Sequence, residues 1–85
     1  FKPAYYNRGL AYDKSGNHQQ AIKDYIKAIE LDPQFALAYV RLAKDYEKQG
    51  QYEAAIEAWK KVSKIGPQQH EARKNLTRLR ALTHQ

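Results

Sequence analysis

The 85-residue chain is long enough for one small domain, and it contains neither cysteine nor methionine. The lack of cysteine excludes a disulfide framework, a thiolate metal site and a cysteine nucleophile. The net charge of +6 lies entirely in residues 60–85, because residues 1–59 carry eight basic and eight acidic side chains. This asymmetry favours a solvated end of the domain over an acidic partner bound there.

The sequence gives little information about location. No apolar run approaches the roughly 20 residues of a membrane-spanning helix, and the first residues show no signal-peptide pattern. Membrane insertion is therefore not expected. The sequence does not identify the cellular compartment, since a chain without cysteine is compatible with every compartment. The cytoplasm is the favoured expectation.

Apolar residues recur at helical spacing along the whole chain, and no segment alternates with the period of a strand. The sequence predicts an all-α domain with five helices, over residues 3–15, 19–31, 37–49, 53–65 and 70–82. Gly16 ends the first helix, because glycine readily adopts a left-handed cap, and Pro33 ends the second, because it has no amide proton. The second unit follows the same plan, with Gly50 after the third helix and Gly66-Pro67 after the fourth.

The sequence repeats at a spacing of 34 residues. The pairs in phase include Phe1 and Phe35, Tyr5 and Tyr39, Tyr12 and Tyr46, Gly16 and Gly50, Ala21 and Ala55, and Pro33 and Pro67. A period of this size is typical of stacked helical hairpins that bury their apolar faces against one another. We predict a single domain over residues 1–85, with repeats at 2–35 and 36–69 and a capping helix at about 70–82. The phase of Phe1 and the missing methionine suggest a fragment of a longer protein.

These residues resemble the tetratricopeptide repeat family. The first unit reads Tyr5-x-x-Arg8-Gly9-x-x-Tyr12-x-x-x-Gly16, then Ala21-x-x-x-Tyr25-x-x-Ala28 and Pro33; the second reads Tyr39-x-x-Leu42-Ala43-x-x-Tyr46-x-x-x-Gly50, then Ala55-x-x-x-Trp59-x-x-Val62 and Pro67. Arg8 departs from the leucine that the family usually has there. The resemblance implies a right-handed α-α superhelix, and protein–protein interaction rather than enzymatic activity.

The resemblance also implies a binding groove lined by the first helix of each unit, which grips an extended or helical peptide. The groove positions carried over by phase are Tyr6, Asn7, Leu10, Asp13, Lys14, Leu37, Val40, Arg41, Lys44, Glu47, Lys48, Lys74, Asn75 and Arg78. Their cationic and amide groups predict a protein or peptide ligand with acidic residues or a free carboxylate.

Some members of the tetratricopeptide repeat family clamp the acidic tails of chaperones. Asn7 and Arg41 match that clamp, but Leu37 stands where it needs lysine, so another ligand is favoured.

Packing accounts for most of the other notable residues. Large rings at helical spacing are usually core, which is our interpretation of Tyr12, Tyr25, Tyr46 and Trp59. Gly9, Ala43, Ala21 and Ala55 are predicted to let the two helices of each hairpin approach closely. Tyr6 is predicted either to contact a ligand in the groove or to lie on the surface without a role, since the adjacent Tyr5 is expected to point toward the core.

Catalysis and other ligand classes find little support. His18, His70 and His84 are scattered and lack the spacing of a metal-binding helix face, so no catalytic residue, metal or cofactor is expected. The basic end lacks the interleaved aromatic residues that stack on bases, so nucleic acid is not expected either. The alternative function is structural: an N-terminal edge that pairs weakly with another copy or with the rest of a longer chain.

Overall fold

The computed structural model describes residues 2–83, which form five α-helices and no strand. The helices are α1 (Lys2–Lys14), α2 (His18–Leu31), α3 (Ala36–Lys48), α4 (Tyr52–Ile65) and α5 (Gln69–Thr83). Every predicted helix boundary lies within one residue of the observed one, and the all-α fold is confirmed. The right-handed superhelical sense stays a prediction. Across the described residues, no helix combines the length and the hydrophobicity needed to cross a bilayer.

Two glycines end the first helix of each hairpin in the left-handed conformation that the sequence predicted. Gly16 has φ +82° and Gly50 has φ +75°. The amide that follows each glycine turns back onto the helix: Asn17 donates to the Tyr12 carbonyl at 2.8 Å, and Gln51 donates to the Tyr46 carbonyl at 2.9 Å. These bonds satisfy carbonyls that a helix end would otherwise leave free. The two hairpins therefore turn by the same mechanism.

The helices form an elongated array in which each packs mainly against the one before and the one after it in sequence. The array measures 38 × 26 × 17 Å along its principal axes. Packing mainly between neighbours in sequence is typical of a stack of helical hairpins.

Within the first hairpin, α1 and α2 approach too closely for any side chain at Gly9. A Cβ atom built on Gly9 would lie 2.6 Å from Cε1 of Tyr25. In the second hairpin the corresponding residue, Ala43, is fully buried, as are Ala21 and Ala55 on the facing helices. The predicted role of a small residue in close helix packing is confirmed at Gly9, and the full burial of the three alanines agrees with it.

The core consists of two clusters of buried side chains, one at each end of the array. The first is made of Ala21, Ile22, Tyr25 and Leu42; the second is made of Val40, Ala43, Ala55, Ala58, Trp59, Val62, Ala72, Leu76 and Leu79. The two largest rings, Tyr25 and Trp59, are fully buried as predicted, while Tyr12 and Tyr46 are half-buried at the edges of the clusters. Since Leu76 and Leu79 belong to the second cluster, α5 covers the second hairpin.

One charged pair takes a position that is apolar in the second hairpin. Arg8 donates two hydrogen bonds of 2.8 Å to the carboxylate of Asp24, whose residue is only 4% exposed. In the 34-residue phase, Leu42 and Ala58 stand at these two positions, and both are buried. Arg8 keeps 60% of its side chain exposed, so its departure from leucine is accommodated by a partner acid as well as by water.

Candidate functional site

Two adjoining depressions form a groove along the array. The first has a volume of about 490 Å³ and is lined by Asn7, Leu10, Ala11, Asp13, Lys14, Arg41, Lys44, Asp45 and Lys48. The second has a volume of about 280 Å³ and is lined by Lys44, Glu47, Lys48, Trp59, Glu71, Asn75 and Arg78. Lys44 and Lys48 line both. The groove is therefore built mainly from the first helix of each hairpin and from α5.

Most of the side chains predicted for the groove line these depressions. Those in the first are Asn7, Leu10, Asp13, Lys14, Arg41, Lys44 and Lys48; those in the second include Glu47, Asn75 and Arg78. Lys74 is exposed and Leu37 is 46% exposed, and neither lines a depression. Their roles in binding stay predictions.

Among the predicted groove positions, Val40 requires correction, whereas Tyr6 is half-buried and its part in binding stays a prediction. The ring of Tyr6 packs against the first core cluster, with its centroid 5.9 Å from the Tyr25 ring and 5.0 Å from the Phe35 ring. Val40 is only 5% exposed and belongs to the second cluster. The reason is that each helix packs against helices on two sides, so its buried stripe is wider than contact with one partner requires. The Tyr6 hydroxyl nevertheless reaches Arg41, and this interaction raises the pKa of Arg41.

Two of the groove cations are already paired with acids. Lys44 lies 3.4 Å from Glu71, and Arg78 donates hydrogen bonds to Glu47 and to the Asn75 side chain. Within residues 2–83, Lys14, Arg41 and Lys48 have no carboxylate within salt-bridge distance. These three side chains are the cations of the groove that are free to meet an acidic ligand, and all three line the first depression.

The wall of the first depression also holds two acids, of which Asp45 is buried and Asp13 half-buried. Asp13 accepts a hydrogen bond of 2.6 Å from the Tyr25 hydroxyl on one carboxylate oxygen, and its other oxygen lies 2.8 Å from Nδ1 of His18. The same His18 nitrogen lies 3.6 Å from Oδ1 of Asp45. Asp45 is 1% exposed. Three helices thus bring two carboxylates and an imidazole together.

Burial and mutual contact shift the acidities of this cluster in opposite directions. Desolvation, followed by the hydrogen bond and the negative charge of Asp13, raises the pKa of Asp45 to about 7. Desolvation also acts on Asp13, but its hydrogen bonds with Asp45, Tyr25 and His18 hold its pKa below the ordinary value. The pKa of Tyr25 is raised by burial and by its bond to Asp13. Asp13 is therefore the more acidic of the two carboxyl groups.

The second hairpin repeats part of this arrangement with different chemistry. Trp59, which corresponds to Tyr25, donates from Nε1 to the Glu47 carboxylate at 3.0 Å, and Glu47 corresponds to Asp13. Glu47 is then paired with Arg78 of α5 rather than with a histidine and a second acid. A buried ring that donates to an acid on the first helix is thus common to both hairpins, whereas among residues 2–83 the acid of the first hairpin alone also meets a second acid, Asp45 of the second hairpin.

Sequence reasoning missed this cluster because its members come from three separate segments. His18 begins α2, and Asp45 lies on the next hairpin, so no short spacing connects them to Asp13. One signal was present in the repeat phase. Position 45 corresponds to Ala11 and Leu79, so an acid there interrupts an otherwise apolar series.

Comparison with known families agrees with this architecture. Two models of the tetratricopeptide repeat match the chain, one over residues 3–35 and the other over residues 36–69. No curated protein matches it. The two matches together span α1 to α4 and meet between the two hairpins. The chain therefore belongs to the tetratricopeptide repeat family.

Proposed function

We propose that this domain binds an extended protein segment that places an acidic side chain or a free carboxylate in the first depression. Tetratricopeptide repeats are generally protein–protein interaction modules and are typically non-catalytic. The single observation that supports the ligand class is the cluster of Lys14, Arg41 and Lys48 around one concave surface, with no acid paired to them within the described chain.

The charge balance of the first depression favours an anion. Lys14, Arg41, Lys44 and Lys48 line it against Asp13 and Asp45. The raised pKa of Asp45 reduces its negative charge near neutral pH. Arg41 is the central candidate, because its guanidinium supplies several donors in a fixed geometry suited to carboxylates. Asn7 on the opposite wall supplies an amide for the ligand backbone.

The test is a titration of two fluorescent peptides that differ only in charge, one rich in Asp and Glu and the other with Asn and Gln in their places. We expect the acidic peptide to bind with micromolar affinity and the neutral one to bind more weakly. The difference should shrink as salt is raised, because exposed charges are screened over about 10 Å at 0.1 M ionic strength. Equal affinities of the two peptides would contradict the proposal.

A pair of arginine variants separates a site effect from a general loss of charge. Arg41→Ala should weaken binding of the acidic peptide about tenfold, since a hydrogen bond to a charged group contributes about 1.5 kcal/mol or more. Arg73→Ala is the matched control, because Arg73 is exposed on α5 and lines neither depression. If both variants lose affinity equally, the acidic peptide is attracted by net charge and does not occupy the groove.

The alternative, self-association through the N-terminal edge, stays a prediction. Phe1, on which that expectation partly depended, lies outside the described residues. The charged pair of Arg8 and Asp24 replaces the apolar pair of the second hairpin, which makes this position less suited to hydrophobic association. Sedimentation over a range of concentrations tests this alternative, and a chain that stays monomeric throughout would exclude it.

A further inference from the structure

We propose that Asp13, His18 and Asp45 form a binding site for one divalent transition-metal ion of the Zn²⁺ class. The three side chains come from α1, from the first residue of α2 and from α3. Each offers one ligand atom, and these atoms all lie within 4.8 Å of one another. An ion bound there would join the two hairpins.

The observed separations are close to those of a bound ion. Zn²⁺ lies about 2.0–2.2 Å from imidazole nitrogen and carboxylate oxygen in a tetrahedral site, which places neighbouring ligand atoms roughly 3.4 Å apart. Here Nδ1 of His18 lies 2.8 Å from Oδ1 of Asp13 and 3.6 Å from Oδ1 of Asp45. These two distances bracket the required one, and the third, between the two carboxylates, is at most 4.8 Å, so the side chains would have to draw together around the ion.

A second observation favours a cation as the ligand. Asp45 is 1% exposed, and its Oδ2 atom is buried without a hydrogen-bond partner among the described residues. A buried carboxylate is costly unless an opposite charge or a set of donors compensates it. The first depression does contain Lys48, but no salt bridge joins it to Asp45 in the described structure. A divalent ion between the three side chains would supply that compensation.

The surroundings of the site support ligation. The Tyr25 hydroxyl donates to Oδ2 of Asp13, which fixes the carboxylate and leaves Oδ1 toward His18. Hydrogen bonds of this kind orient metal ligands and are regularly found behind them. Asp13 and Asp45 also line the first depression, so an ion would enter from the groove. Three protein ligands leave a tetrahedral ion one further position for water.

The ligand set indicates which ions to test. Imidazole with carboxylates suits Zn²⁺, Co²⁺ and Ni²⁺, whereas Mg²⁺ and Ca²⁺ prefer oxygen ligands alone. The competing explanation needs no metal: a proton shared within the cluster would neutralise Asp45 by itself. The two explanations differ in whether the chain binds a metal ion with defined stoichiometry.

The experiment titrates the tag-free chain, first treated with a chelator, with ZnCl₂ by calorimetry and with CoCl₂ by visible absorption. We expect one ion per chain, a cobalt spectrum of a low-coordinate site, and a higher melting temperature with Zn²⁺ but not with Mg²⁺. Asp45→Asn keeps the shape of the side chain and should weaken Zn²⁺ binding by at least about tenfold. His18→Ala should do the same.

His70→Ala is the matched control, because His70 lies exposed in the first turn of α5 and far from the cluster in sequence. It should bind Zn²⁺ as the wild type does. Circular dichroism of each variant checks that the helices are intact. The proposal is overturned if folded wild-type protein binds no Zn²⁺, or if Asp45→Asn and His70→Ala bind it equally well. In the first case the proton alone neutralises the cluster, and in the second the ion binds elsewhere on the surface.

Discussion

Asp45 stands in the 34-residue phase at the same position as Leu79, and both are buried, with 1% and 0% of their surface exposed. Leu79 packs in the cluster that contains Trp59, whereas Asp45 meets Asp13 and His18 beside Tyr25. At this position the contact between the two hairpins is therefore polar, whereas the contact between the second hairpin and α5 is apolar. A buried acid at a position that leucine fills elsewhere weakens the domain when it is ionised.

The first prediction concerns pH, with a chelator present. The folded pKa of Asp45, about 7, is raised above the ordinary value of 3.8, so the folded state binds more protons than the unfolded state between these values. Stability from this group is complete below about pH 4 and is lost as pH rises through 7. Each unit by which the pKa differs between the folded and unfolded states corresponds to about 1.4 kcal/mol of stability. Thermal unfolding should therefore show lower stability at pH 8 than at pH 5.

Asp45→Asn provides the control for this pH dependence. The amide has the shape of the carboxyl group but does not ionise, so the variant should be more stable than the wild type at pH 8. Its melting temperature should also change less between pH 5 and pH 8. An unchanged pH profile in Asp45→Asn would show that another group causes the dependence.

The second prediction concerns Gly9. Alanine usually stabilises a helix by up to about 1 kcal/mol relative to glycine. Here its Cβ would lie 2.6 Å from the ring of Tyr25, which is fully buried and whose hydroxyl is held by Asp13. Overpacking of this kind costs about 1–3 kcal/mol, so Gly9→Ala should lower the free energy of unfolding in urea denaturation.

A double-mutant cycle tests the cause. In a Tyr25→Leu background the ring is absent, so Gly9→Ala should be neutral or favourable there. If Gly9→Ala is equally harmful with and without the ring, the strain lies in the backbone of α1 rather than in the contact between the helices.

The third prediction concerns the Arg8–Asp24 pair. Arg8→Ala should lower the melting temperature by several degrees, because Asp24 is 4% exposed and would keep a buried charge without its partner. The double change Arg8→Leu with Asp24→Ala installs the apolar pair of the second hairpin and should recover most of that loss. Lys2→Ala is the control: it breaks the pair with Asp32, a carboxylate that is more exposed than that of Asp24, and should have little effect. A double variant no more stable than Arg8→Ala would show that the two hairpins do not tolerate the same packing there.

The sequence was sufficient to predict the helices, because the glycines and prolines that end them act locally and recur at the 34-residue spacing. The family resemblance, carried over by the phase, named Asn7 and Arg41 as groove positions, and both line the first depression, although their part in binding stays a prediction. The acid cluster did not follow, because Asp45 meets Asp13 and His18 only after the second hairpin packs on the first. The ring contact between Tyr6 and Phe35 was missed for a similar reason, because Phe35 belongs to the connection between the hairpins.

The last prediction concerns α5 as a cap. Leu76 is 7% exposed and belongs to the second core cluster, whereas Arg80 is exposed. Truncating a buried leucine to alanine costs about 2–5 kcal/mol, a large share of the stability of a domain this small. Leu76→Ala should therefore lower the melting temperature markedly, while Arg80→Ala should change it little. If Arg80→Ala is the more damaging of the two in thermal unfolding, α5 does not act as a solvating end and instead offers Arg80 to an interaction that stabilises the array.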